Sequence, residues 1–271
     1  MYAASKTNSE PKSNAIVLAP AVLVDGENMS KRTATHEMDS QKAQLVRAIA
    51  QIAAIWTVSD AGYYFLLPAL GSTANYNAGS VAVTLYYGFW IGITVITFWP
   101  LYRSWPRYGR WTTFENRLTS YIVWSLSFAA CIFFAAYVLP SLPAITWTES
   151  WNPPDIRAAT PAYFLPKSIE ILFQQLLVVA LVLALSAQRY KIRTISIYCA
   201  IVFGASHVLL AFGGVPWGYV IRFMVSAAAF GFMFPYLILR VPNGLAYSYV
   251  IHWAYYAASV VLPHIFASPV K

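Results

Sequence analysis

The residues best suited to chemistry gather in one apolar stretch, Ser168 to Leu185, which reads SIEILFQQLLVVALVLAL and carries Glu170, Gln174 and Gln175. The stretch is long enough to enter a bilayer, where an ionisable carboxyl costs roughly 2.5–3.5 kcal/mol on insertion scales and so needs a partner or a task. Glu170 and Gln174 lie four positions apart and share one helix face. Two other apolar segments each bring a histidine, His207 in FGASH and His252 in VIHWAYY. A carboxyl and two imidazoles on three helices suit water activation, with the carboxylate as base and the histidines orienting the water or donating to a developing oxyanion. The same three groups form a His, His, Glu set of the kind that holds catalytic zinc. Each also has a plainer reading as a hydrogen-bonded bridge between helices.

The elements that must position these groups follow from composition. The 271-residue chain is 59% hydrophobic, 17% aromatic and 10% charged. A soluble domain carries about 25% charged residues, so the composition points to an integral, all-α membrane protein. The apolar runs have helix length and lack the alternation of a membrane barrel. Seven of them are expected to span: 44–70, 79–101, 117–140, 161–187, 193–213, 216–239 and 243–267. Residues 1–42 read as a mostly flexible cytoplasmic tail ahead of a membrane domain at 43–271. The run AIVLAPAVLV at 15–24, behind Lys6 and Lys12, is too short to cross and is broken by Pro20. Asn28 begins a formal glycosylation sequon that would be silent on a cytoplasmic tail.

The linkers alternate in charge. One set holds Arg103, Arg107, Arg110 and Arg117, then Arg189, Lys191 and Arg193, then Arg240; the other is nearly bare and includes a Gly-Gly turn before the sixth span. The excess of Lys and Arg on one side places the N-terminus in the cytoplasm and the C-terminus outside. The net charge of +8 therefore reads as an orientation signal, and no nucleic-acid partner is expected. Linker 141–160 is the longest outer one and carries Trp147 and Trp151, which read as interfacial anchors or as a lid. Asp60, late in the first span, and Arg222, early in the sixth, fall at similar depth and are expected to form a structural ion pair. A retinal-type Schiff base in the last span is excluded, because the only lysine in that region is the terminal Lys271. Cys131 and Cys199 sit in apolar runs without metal spacing and read as packing residues. His264 reads as interfacial, and His36 belongs to the tail.

With these motifs in order, residues 161–258 resemble the CAAX prenyl protease and bacteriocin-processing (CPBP, or Abi) family of intramembrane proteases, whose helical motifs are EExxxR, FxxxH and HxxxN/D. Phe203 to His207 fits the second motif, and NGLAYSYVIHWAYYA from Asn243 is similar to the third, with His252 at its head. Laying IEILFQQ on the first motif puts Ile169 at the first glutamate, Glu170 at the second and Gln174 at the arginine. Tyr256 stands at the Asn/Asp of the third. Sliding the register by one would put Gln175 at the arginine but would misplace Phe173. The resemblance implies His207 beside the water-activating carboxylate and His252, with Tyr256, at the oxyanion. It also implies that the first carboxylate of the family is missing.

Two functions are carried forward. The first is a non-catalytic accessory or assembly subunit with an eroded CPBP-type site, binding other membrane proteins and lipids. The second is an active glutamate-type endopeptidase that uses Glu170, His207, His252 and Tyr256 on membrane-bound or lipidated peptides. No cofactor is expected, with zinc on Glu170, His207 and His252 as the alternative. The expected location is a bacterial inner membrane, since no organelle-targeting presequence is visible.

Overall fold

The computed structural model describes residues 23–72, 75–105, 114–143, 156 and 159–266, with side chains over 41–72, 75–105, 118–143, 156 and 159–265. The chain divides into two units, Met1–Ala43 and Gln44–Lys271. Among the described residues every regular element is helical. Helix α1 covers Leu23–Ala61, so the backbone is helical within the stretch expected to be a mostly flexible tail. Pro20 is the last helix breaker before it. Lys6, Lys12, Arg107, Arg110, Trp147, Trp151 and Lys271, and the side chains of Asn28, His36 and Arg117, lie outside the described residues.

Six more long helices follow among the described residues: α2 (Ser80–Ser104), α3 (Phe114–Phe133), α4 (Pro161–Ala187), α5 (Ile192–Ser206), α6 (Trp217–Arg240) and α7 (Gly244–Phe266). Both α1 and α3 pass into a wider π-helical turn, Gly62–Leu66 and Phe134–Val138, and then into a short closing helix, Leu67–Ala69 and Leu139–Ser141. The cause is shared. Pro68 and Pro140 have no N–H to donate, and their rings crowd the carbonyl four residues earlier, so the turn ahead opens out.

Among the described residues, five helical stretches are long and apolar enough to cross a membrane: Ser80–Ser104, Leu118–Ser141, Pro161–Ala187, Ile192–Gly213 and Trp217–Arg240. The first and last helices fall short of that apolarity. Arg47, Gln51, Ser59 and Asp60 interrupt the one, and two histidines and five tyrosine or tryptophan residues dilute the other. Large apolar side chains face outward, including Ile96 at 78% exposure and Leu85 at 69%. Helix α4 is the axis of the bundle: 78% of its most apolar window is buried, against 11–33% in the other four. It packs on α2, α5, α6 and α7. Polar side chains fix those contacts, with Tyr102 donating to the Leu176 carbonyl at 3.0 Å and Trp253 Nε1 donating to Ser168 Oγ at 3.0 Å.

Helices α1 and α2 are held by the Tyr86 hydroxyl, which donates to the Ser59 carbonyl at 2.6 Å. Gly62 admits it, since a Cβ there would overlap that hydroxyl. Tyr86→Phe is expected to cost about 0.5–1.5 kcal/mol, because the Ser59 carbonyl then loses its cross-helix donor. Denaturation of the detergent-solubilised protein checks this; an unchanged midpoint would mean that the ring alone holds the contact.

Candidate functional site

One face of α4 presents Lys167, Glu170 and Gln174, at spacings that stack them along the helix. The Lys167 ammonium donates to Glu170 Oε2 at 2.5 Å, and the Tyr76 hydroxyl donates to the same oxygen at 2.7 Å. The other carboxylate oxygen accepts from Gln174 Nε2 at 3.0 Å. Both oxygens of a residue only 9% exposed are thus engaged. Lys167 is itself 6% exposed, and its ammonium lies 4.2 Å from the Tyr76 ring centre and 4.4 Å from that of Tyr256. Aromatic faces and a carboxylate together replace the water that the ammonium gave up. Tyr76 comes from the linker between α1 and α2. Burial, and then the nearby Glu170 carboxylate, hold its phenol well above the ordinary value, so it remains a donor.

His207 stands where α5 tightens into the 3-10 turn His207–Gly213, which Gly214 ends in the left-handed conformation. Its Nδ1 donates to the Phe203 carbonyl at 2.8 Å, since a carbonyl can only accept. In the neutral ring, Nε2 then carries the lone pair. His252, on α7, is 3% exposed and packs among Phe203, Phe230 and Tyr256, with ring centres 5.7–5.8 Å away. Its Nδ1 accepts from Gln175 Nε2 at 3.2 Å, and Gln175 Oε1 accepts from the Ser248 hydroxyl at 3.0 Å.

A cavity of about 600 Å³ opens beside these groups, at the end of the bundle where the linkers ahead of α2, α4 and α6 gather. Lys167, Glu170, Gln174, His207 and Tyr256 line it, as do Asp60 and a wall of aromatic side chains. The structure therefore brings Glu170, His207 and Tyr256 to one cavity and leaves His252 behind its wall. No ion pair joins Asp60 to Arg222 among the described residues. Asp60 faces the cavity, while the Arg222 guanidinium lies over the Tyr219 and Phe223 rings, at 5.4 and 5.2 Å. His264 Nδ1 meets the Pro143 carbonyl at 2.7 Å, and Cys131 and Cys199 are buried free thiols.

Zinc on Glu170, His207 and His252 does not fit this arrangement. The carboxylate oxygens already accept from an ammonium, a phenol and an amide, and His252 already accepts at Nδ1 behind the cavity wall. Among the described residues no three His, Cys, Asp or Glu side chains group as metal ligands.

Lys167 is not among the residues expected from sequence, although a lysine three residues before a glutamate in an apolar helix is an ion-pair signal. Tyr76 carries no such signal, because only the fold brings an uncharged linker onto α4. Comparison with protein-family models, curated proteins and solved structures returned no match.

Proposed function

We propose that this chain is a polytopic membrane protein with a CPBP-like site that does not hydrolyse peptides, and that it serves other membrane proteins as an accessory or assembly subunit. One observation carries the reading: Glu170 is engaged at both oxygens by Lys167, Tyr76 and Gln174. A general base needs a lone pair aimed at the water, and here an ammonium, a phenol and an amide occupy both carboxylate oxygens. Loss of general-base assistance alone removes about 10²–10⁴ in rate. The placement of His252 off the cavity takes away a candidate oxyanion donor as well.

In this reading all seven helices span, and the basic linkers Arg103, Arg189 to Arg193 and Arg240 face the cytoplasm. The cavity then opens on the opposite, non-cytoplasmic side, and the exposed apolar side chains meet lipid or a partner. The membrane is a bacterial inner membrane. The rival reading, an active endopeptidase, is favoured by one observation, that Glu170 and His207 share the cavity. The test uses wild-type and Glu170→Gln protein in lipid nanodiscs with a fluorogenic farnesylated peptide, alongside native purification from the membrane. Equal background cleavage by both proteins and a stoichiometric membrane-protein partner are expected. Cleavage by the wild type about a hundredfold above Glu170→Gln would establish the endopeptidase instead.

A further inference from the structure

We propose that the cavity binds an organic cation: a molecule with an ammonium head and an apolar body. The proposal rests on the reading of Glu170 as a carboxylate already neutralised by Lys167. With that pair set aside, what the cavity presents is acceptors. Asp60 lines it, and no hydrogen bond or ion pair engages its carboxyl among the described residues. Gln174 is 7% exposed and spends its amide nitrogen on Glu170, while its Oε1 is buried without a partner. His207 has its Nδ1 committed to its own helix and keeps the Nε2 lone pair. These three acceptors come from α1, α4 and the end of α5, three separate elements converging on one space.

Two donors on the same wall are spent. The Lys167 ammonium and the Tyr76 hydroxyl both point at Glu170, so an anionic ligand would meet two carboxyls and one occupied lysine. Around them stand the rings of Trp56, Tyr63, Tyr64 and Tyr219, whose faces attract a cation, most strongly where water is excluded. The molecule already shows the principle, since Lys167 sits between the Tyr76 and Tyr256 rings. A volume of about 600 Å³ lies within the range of sites for drug-sized ligands, roughly 300–1,000 Å³. A cationic head beside Asp60 would face its carboxyl, with the apolar body against the aromatic wall.

The test is binding of radiolabelled benzyltrimethylammonium to the full chain in phosphatidylcholine nanodiscs, with empty nanodiscs as the blank. Saturable binding is expected, with the uncharged isostere neopentylbenzene competing at least about tenfold more weakly. Asp60→Asn is expected to weaken binding about tenfold or more while keeping the wild-type melting profile. Absence of saturable binding, equal competition by the isostere, or unchanged affinity in a folded Asp60→Asn variant would each overturn the proposal. The comparison of cation with isostere needs only the wild type, so it decides the matter even if the variant does not fold. Peptide cleavage dependent on Glu170 is read separately, and would sink the non-catalytic reading without altering this binding result.

Discussion

Replacing Lys167 with methionine is expected to lower stability by about 3–5 kcal/mol, the cost of leaving a buried carboxylate without its counter-charge. Methionine keeps much of the length of the lysine stem, so little of the loss comes from packing. Tyr76 and Gln174 still donate to Glu170, yet neither supplies a full positive charge. Glu170→Gln should be gentler, because the ammonium it strands keeps the Tyr76 and Tyr256 rings, at 4.2 and 4.4 Å. The double variant should recover most of the loss, since buried pairs contribute mainly by cancelling each other's desolvation. Equilibrium denaturation of all four proteins in one detergent measures the coupling. If Lys167→Met unfolds at the wild-type midpoint, the carboxylate does not depend on the ammonium, and the case that Glu170 is too neutralised to act as a base fails with it.

This pair also marks how far the sequence could be read. Apolar period and length locate α2 to α6 within a few residues, because the outward-facing and core-facing surfaces of these helices are both apolar and leave long unbroken runs. The π-helical turns before Pro68 and Pro140 follow from proline chemistry once the helices are known. Glu170 is visible in the sequence as a costly group needing a partner or a task, and the sequence alone sets it beside histidines on other helices. The actual partner is one turn away on the same helix, and the next is Tyr76 in a linker 94 positions distant. Asp60 and Arg222 show the opposite error. Similar depth made them look like partners, yet depth fixes only one coordinate of a contact. Rotation about each helix axis sends Asp60 to the cavity and lays Arg222 against Tyr219 and Phe223. His252 was placed correctly on its helix, but whether it faced the cavity depended on the ring of Phe203, which packs 5.1 Å from His207 and 5.8 Å from His252.

Gly231→Ala offers a test in which the expected sign runs against helix propensity. In a helix interior, alanine is favoured over glycine by about 0.8–1.0 kcal/mol. Gly88, mid-way along α2, has open space where a Cβ would stand, so Gly88→Ala should gain a part of that amount. At Gly231 a Cβ would lie 2.6 Å from the Cys199 carbonyl oxygen and 2.9 Å from Ala200 Cα. Both obstacles are backbone on α5, and no rotamer change can move them. The helices must separate, and overpacking of this kind costs about 1–3 kcal/mol, so Gly231→Ala should destabilise while Gly88→Ala does not. Gly231→Leu should exceed that range. The neighbouring contact is also tight, since a Cβ on Gly204 would meet Ala228 Cβ at 3.0 Å. Small residues on both helices thus let α5 and α6 approach closely, the packing device known from membrane helix pairs. Denaturation midpoints of the two alanine variants, measured side by side, decide the point, and equal shifts of the same sign would refute it. The consequence reaches the cavity, because α5 ends in His207 and α6 carries Tyr219 and Phe223. A helix pair forced apart at Gly231 should therefore also weaken binding of the cation probe, whereas Gly88→Ala should leave it unchanged.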